Sequence, residues 1–270
     1  MITKCKSNYQ PMRIAIVIAD SYGEPFESIK REIHDSVWKE FSEAGIDIFY
    51  SIGKPLNRLS GGLSIFSDKY RYTNFWPIQR SFDRISLVAN NFILPKTFEK
   101  NGVISVNIGE GLRNLGVKML ATFDYLYNEK YDFVYKTTLS SIINYRLFRD
   151  ILTDAPSNTI FYAGTKISLT AKPFVSGANL FLNRKAIEHL LVNKHRWNHG
   201  NLDDVEIGNL LRGVTELVPL PSLNIASIEE ARSIPTLELE GMLHIRCKSN
   251  EVPRQDIAIM KNILARLSQK

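Results

Sequence analysis

The sequence predicts an α/β protein, Rossmann-like, with a mainly parallel central sheet covered by helices on both faces. Three observations carry this. Apolar runs too continuous for a half-exposed strand recur along the chain, and strands buried on both faces read that way. Segments with apolar residues at steps of three and four follow them, as amphipathic helices require. The two kinds alternate without an internal repeat, low-complexity tract or linker, which places helices on both sides of one sheet.

Arg13 to Ala19 (RIAIVIA) is the first strand. Phe26, Ile29, Ile33, Val37 and Phe41 mark the first helix, which Gly45 ends before a strand over Ile46 to Ile52. Residues 53–80 are irregular, with Gly61-Gly62 and an aromatic cluster of Tyr70, Tyr72, Phe75 and Trp76. Long segments of this kind are functional loops or disordered. Ile85 to Val88 and Val103 to Val106 are short strands. A helix follows on Leu112, Leu115, Met119, Phe123 and Leu126, then a strand over Tyr131 to Thr137 and a helix over Tyr145 to Leu152. Thr159 to Ala163 and Asn179 to Leu182 read as strands. Helices follow around Ile187 to Leu191, over Asp203 to Leu211, and on Ile257, Met260, Ile263, Leu264 and Leu267.

The chain has 270 residues, 44% of them apolar, enough for a large core. A net charge of +6 favours anionic ligands. No basic run reaches five residues, so nucleic acid is not an expected partner. Cys5 and Cys247 stand far apart and outside metal-ligand spacings. Residues 1–12 read as a tail without the apolar core of a secretory signal, and no stretch approaches the roughly 20 apolar residues of a membrane span. These features predict a cytoplasmic protein with one domain over 13–270.

In parallel sheets, ligands bind beyond the carboxyl ends of the strands, and four segments there carry polar chemistry. Asp20 and Ser21 end the first strand, where Asp20 is placed for a ribose or base edge; taken alone they read as a turn or helix cap. Glu110 to Lys118 opens a helix with Arg113 and Lys118, an arrangement suited to a diphosphate or to a plain solvated face. The strand YDFVYKT runs into Thr138, Leu139, Ser140 and on to Asn144. Finally PFVSGANLFL leads to NLDDVEIGNL. Gly177, between Ser176 and Ala178, leaves room for close backbone approach. Asp203 and Asp204 open a helix, as helix-start acids or with one as a general base.

The order of these segments resembles the β-1,3-glycosyltransferase and Fringe family, which has the GT-A nucleotide-sugar fold. That family runs through an NLxxK helix, (F/Y)DFVxKxDDDxxxN, PxxSGaxxxL and (E/D)DVxxG. Here NLGVK stands at 114–118, YDFVYKT with its Asn at 131–144, PFVSGANLFL at 173–182 and DDVEIG at 203–208. The resemblance implies a glycosyltransferase moving a sugar from a nucleotide sugar, UDP-linked by the same resemblance, to a glycan acceptor. It implies Asp204 as catalytic base, Asp203 as its acidic neighbour, Ser176, Gly177 and Ala178 along the sugar pocket, Lys118 on the donor side, and His244 completing a metal site.

The departure lies where the family has its DxD triplet, which holds Mn²⁺ or Mg²⁺ against the donor diphosphate. This chain has Thr138, Leu139 and Ser140, and hard cations need carboxylate oxygens. No metal cofactor is therefore expected, with Mn²⁺ or Mg²⁺ held without a DxD triplet as the alternative. Cationic side chains would have to neutralise the leaving group instead; Lys136, Arg113, Arg246 and Lys248 are the candidates, with the Thr138 and Ser140 hydroxyls as hydrogen-bond donors. Trp197, just ahead of the Asp pair, reads either as a sugar-stacking ring or as packing. The rival reading is a catalytically inactive carbohydrate- or nucleotide-binding protein on the same fold. Absence of GxGxxG after the first strand weighs against a dinucleotide enzyme.

Overall fold

The computed structural model describes residues 12–21, 23–54, 94–110, 114–168 and 172–268. The expected strand at 85–88, the aromatic cluster at 70–76 and Arg113 lie outside them.

Strand β1 (Ile14–Ala19) is the spine of the sheet. Its apolar run is buried on both faces because successive side chains point opposite ways. Ile16 and Ile18 join one core with helix α1 (Phe26–Glu43), while Ala15 and Val17 join a second core on the other face. β2 (Asp47–Gly53) and β5 (Phe133–Thr138) flank β1, both parallel to it. β3 (Thr97–Lys100) and β4 (Val103–Val106) form an antiparallel pair beyond β2, joined by a turn in which Asn101 and Gly102 both have positive φ. On the other side stand β8 (Phe174–Asn183), β7 (Tyr162–Ile167) and β9 (Val218–Pro219), giving the order β3-β4-β2-β1-β5-β8-β7-β9.

The sheet is less uniformly parallel than its sequence suggests. Among the described residues, four strand pairings are parallel and three antiparallel. β8 runs antiparallel to both β5 and β7. As a result its first half, including Ser176, Gly177 and Ala178, lies at the carboxyl end of β5. Gly164 in β7 has φ +149°, and a Cβ there would stand 1.8 Å from the Asn179 carbonyl oxygen. Only glycine fits that approach.

Helices cover both faces. α1, α3 (Tyr145–Asp154) and α8 (Asp256–Leu267) pack on one through Phe41, Phe148, Met260 and their neighbours. α2 (Leu115–Asn128), α4 (Arg184–Val192) and α5 (Asp203–Leu211) pack on the other through Met119, Phe123, Leu190 and Leu211. Asn144 and Asn183 cap α3 and α4 by accepting backbone N–H groups. A second sheet of order β10-β11-β6 joins β10 (Ser222–Ile225), β11 (His244–Cys247) and β6 (Ser141–Ile143). Two short helices, α6 (Ile228–Ser233) and α7 (Thr236–Glu240), connect β10 to β11. Thr138, Leu139 and Ser140 thus form the joint between the two sheets. No helix among the described residues is long and apolar enough to cross a membrane.

Candidate active site

Period-2 alternation along β5 places Val134 and Lys136 on the α2–α5 face. The Lys136 ammonium is buried and donates to the Gly177 carbonyl at 2.8 Å. It also pairs with Asp203 Oδ2 at 2.9 Å. Both partners of that ion pair are only 3% exposed. Asp203 is therefore not simply a helix-start acid: it neutralises a lysine on the central sheet. Lys136, expected on the donor side, is correspondingly not offered to a diphosphate.

Asp204, one residue on, turns the other way and is half-buried. Its Oδ2 accepts the Gly177 N–H at 2.9 Å and its Oδ1 the Val205 N–H at 2.9 Å. Burial pushes its carboxyl above the ordinary range, and the Asp203 charge adds to this. The Gly177 N–H, Lys136 and the Val205 N–H pull the other way. A Cβ on Gly177 would stand 2.5 Å from Lys136 Nζ and 3.4 Å from Asp204 Oδ2. Gly177 is thus where β8 lies against Asp204 and the lysine partner of Asp203. Ser176 is half-buried, its hydroxyl accepting the Ala178 N–H at 3.3 Å. Ala178 is buried, and its carbonyl accepts the Thr137 hydroxyl at 2.9 Å.

Glu206 ties the loop ahead of α5 to that helix. It is buried, and its carboxylate accepts from the Asn198 N–H, the Asn201 amide and the Asn209 amide. Trp197 in this loop is 3% exposed and belongs to the core on that face. Its ring lies over Gly116, whose added Cβ would stand 2.8 Å from Trp197 Nε1. The sugar-stacking expectation for Trp197 is thereby replaced by packing.

At the sheet joint, the Thr138 and Ser141 hydroxyls are 3.0 Å apart, and Ser141 Oγ lies 3.0 Å from His244 Nε2. The Ser140 hydroxyl donates to Asp256 Oδ2 at 2.5 Å. Asp256, opening α8, also accepts the Ser249 N–H at 2.9 Å and pairs with the Arg254 guanidinium. These donors do not suit a hard divalent cation, which takes several carboxylate oxygens. Among the described residues no group of three or more His, Cys, Asp or Glu is placed to hold one. His244 is 2% exposed, and burial with the nearby Arg246 charge pushes its pKa down to about 3. Among the described residues the hydrogen-bond partner of His244 is the Ser141 hydroxyl, and no carboxylate bonds its ring.

The remaining cations divide sharply. Lys118 is buried, and its ammonium bonds both Glu110 oxygens, at 2.8 and 3.0 Å, and the Asp20 carbonyl at 3.0 Å. It ties the ends of β1 and β4 together and is not free for a phosphate, which corrects the donor-side expectation. The Asp20 carboxylate is buried and pairs with Lys30 at 2.9 Å while accepting the Ser21 N–H. Lys248 is exposed. Arg246 is half-buried, and among the described residues its guanidinium makes no hydrogen bond or ion pair; its Nε is buried without a partner. Burial and the Arg254 charge lower its pKa, while Asp204 and Asp256 raise it.

The sequence points to Asp203, Asp204 and Gly177 as neighbours but assigns Lys136 to the donor, whereas the structure pairs Lys136 with Asp203 and Gly177; Arg254, Asp256 and Glu206 carry no such signal. The acid two residues after Arg254 at a helix start was the only local signal for the Arg254–Asp256 pair.

No protein-family model and no curated protein matches the chain. Among solved structures, it is similar to a glycosyltransferase involved in the glycosylation of the major capsid of PBCV-1. That likeness has a TM-score of 0.43 and 10% identity, over 93% of this chain and 98% of that one. It is also similar to the glycosyltransferase GlyE of Streptococcus pneumoniae, with a TM-score of 0.43 and 13% identity over 94% of this chain. The match covers 60% of the GlyE chain's length.

Proposed function

We propose that the chain is an inverting glycosyltransferase, with residues 13–270 as its catalytic domain and a nucleotide sugar, UDP-linked by family resemblance, as donor. The observation that supports this best is the placement of Asp204. It is a half-buried carboxylate with a raised pKa, held by the Gly177 N–H beyond the carboxyl end of β5, within the field of Arg246, which is unpaired among the described residues. Asp204 takes the proton of an acceptor hydroxyl as that oxygen attacks the anomeric carbon. The bond from this carbon to the donor phosphate breaks on the opposite face, and the nucleoside diphosphate leaves with the electron pair. A base tuned upward toward the working pH suits that proton transfer. Positive charge for the leaving group comes from side chains, with Arg246 and Lys248 the available candidates, and no metal ion takes part.

A second reading, a binding protein without turnover, is favoured by one observation. The Ser140 hydroxyl at the family's metal-binding position is committed to Asp256. A panel of nucleotide sugars, screened in EDTA by thermal shift and by product formation, separates the two. A ligand at about 100 times its Kd stabilises by about 2.7 kcal/mol. Stabilisation with product supports the transferase; stabilisation without product for any acceptor supports a nucleotide-binding protein; no stabilisation by any donor rejects the transferase and leaves only a carbohydrate-binding protein.

A further inference from the structure

Among the described residues the guanidinium of Arg246 has no counter-charge bonded to it, although it is half-buried and its Nε is sealed from solvent. An unpaired charge in such a place is costly, and proteins keep one where a ligand supplies the partner. A second guanidinium stands close by. Arg246 pairs in register with Ser141 across β11 and β6. Arg254 Nη2 donates to the hydroxyl of the adjacent Ser140 at 3.4 Å. Both arginines therefore flank one turn, at the end of the central strand β5. The Arg254 guanidinium also lies 5.8 Å from the Phe26 ring centre, at the start of α1. Its Nε and Nη2 are fixed by Asp256, whereas Nη1 is bonded to nothing among the described residues. Asp256 is shared among Ser140, Ser249 and Arg254, so the carboxylate nearest the turn is already committed to Arg254 and makes no bond to Arg246 among the described residues.

We propose that Arg246 and Arg254 together form a metal-free clamp for a diphosphate at the turn between β5 and β6. Planar guanidinium groups match phosphate oxygens two at a time, and Asp256 holds Arg254 in place before the ligand arrives. Taking the ligand as the donor's diphosphate rests on the glycosyltransferase reading; the anion site itself does not. Arg254 replaces Lys248 as the second cation, because Lys248 is exposed and has no such support.

The test is titration calorimetry of the full chain in EDTA with inorganic pyrophosphate and, separately, UDP. Wild type is expected to bind both. Arg246→Gln and Arg254→Gln are each expected to weaken both by at least about tenfold, equivalent to about 1.4 kcal/mol. Arg254→Lys is expected to recover only part, because an ammonium cannot present the fork. Arg254→Gln also loses the Asp256 pair and can destabilise α8, so Arg246→Gln is decisive. Among the described residues Arg246 has no bonded partner to lose, so that variant should melt at or above the wild-type temperature without ligand while losing the stabilisation by pyrophosphate. Wild-type failure to bind pyrophosphate in EDTA, or unchanged affinity in Arg246→Gln, overturns the clamp. Arginine-dependent pyrophosphate binding without any sugar transfer leaves the clamp standing and removes the glycosyltransferase reading. Transfer that needs Asp204 but neither arginine does the reverse.

Discussion

Asp204 Oδ2 accepts the N–H of Gly177 at 2.9 Å, while the carbonyl of the same glycine accepts from Lys136, the partner of Asp203. One peptide segment of β8 therefore orients both acids at the start of α5. The arrangement gives adjacent carboxylates different partners: Asp203 is paired with a buried lysine, and Asp204 keeps a half-buried carboxylate held by backbone N–H groups.

Substitution separates the two. Asp204→Asn should lower transfer by about 10²- to 10⁴-fold, because the amide cannot take the proton. Donor affinity should change little. Asp203→Asn should act on stability instead, since it strands the Lys136 charge; breaking a buried pair costs about 3–5 kcal/mol. Turnover and melting temperature are measured together for each variant. A stable but inactive Asp203→Asn beside an active Asp204→Asn would exchange the roles.

The raised Asp204 pKa has a defined sign in pH experiments. The base form fills only above a pKa higher than the ordinary Asp value of about 3.9, so the acid limb of kcat/KM should lie above that value. For stability, a carboxyl whose folded pKa is raised contributes fully below its unfolded pKa, and the contribution fades as pH rises through the folded pKa. Asp204→Asn should thus gain on wild type in melting temperature as pH climbs from about 4. A pH-independent difference would show that Asp204 titrates ordinarily.

Histidines act with the opposite sign. His244 is pushed from 6.5 down to about 3 and His199 from 6.5 down to about 4, both chiefly by burial. Held neutral when folded, they take protons on unfolding, so the protein loses stability as pH falls from 6.5 through those values. His244→Gln should flatten the melting profile between pH 6.5 and about 3. An unchanged slope would move the acid sensitivity elsewhere.

Elements whose signal is local were legible in the sequence. β1, α1, α2 and α8 declare themselves by unbroken or periodic apolar residues, and each lies within a few residues of its expected span. The second sheet was not legible. β6 and β11 have three and four residues, too few to show a period, and they pair across a long separation in the chain. The antiparallel direction of β8 is likewise set by its neighbours and not by its own residues. At the candidate site, DDVEIG and SGA lie together as β8 packs on α5, but which of the two acids is left without a cationic partner depends on Lys136 pairing with Asp203. The Arg254–Asp256 pair gains meaning only when α8 is packed beside the end of β5.

Trp197 provides a check on packing against acceptor binding. A ring this deeply buried supports the core on the α5 side. Trp197→Ala should cost about 3–5 kcal/mol of stability. Trp197→Phe should fold with a smaller loss and bind acceptor normally. Loss of acceptor affinity in a well-folded Trp197→Phe would restore the sugar-contact role.

Gly177→Ala tests the shared peptide directly. A Cβ at this position meets Lys136 Nζ at 2.5 Å, closer than such atoms approach, while Asp204 Cβ and Oδ2 stand at 3.4 Å, ordinary contact. The lysine end must therefore move, and it cannot move without lengthening its bonds to the Gly177 carbonyl and Asp203. Overpacking of this size costs about 1–3 kcal/mol. The consequence for activity follows from where the displaced charge goes. An ammonium pushed from Asp203 leaves that carboxylate less neutralised beside Asp204, raising the Asp204 pKa further. Gly177→Ala should therefore show both a lower melting temperature and an acid limb of kcat/KM displaced upward from wild type. The additional substitution Lys136→Met removes the clash but leaves Asp203 uncompensated, so it should restore neither property. A Gly177→Ala protein with wild-type stability and pH profile would mean that Lys136 has room to retreat, and that the coupling between the two acids does not run through this peptide.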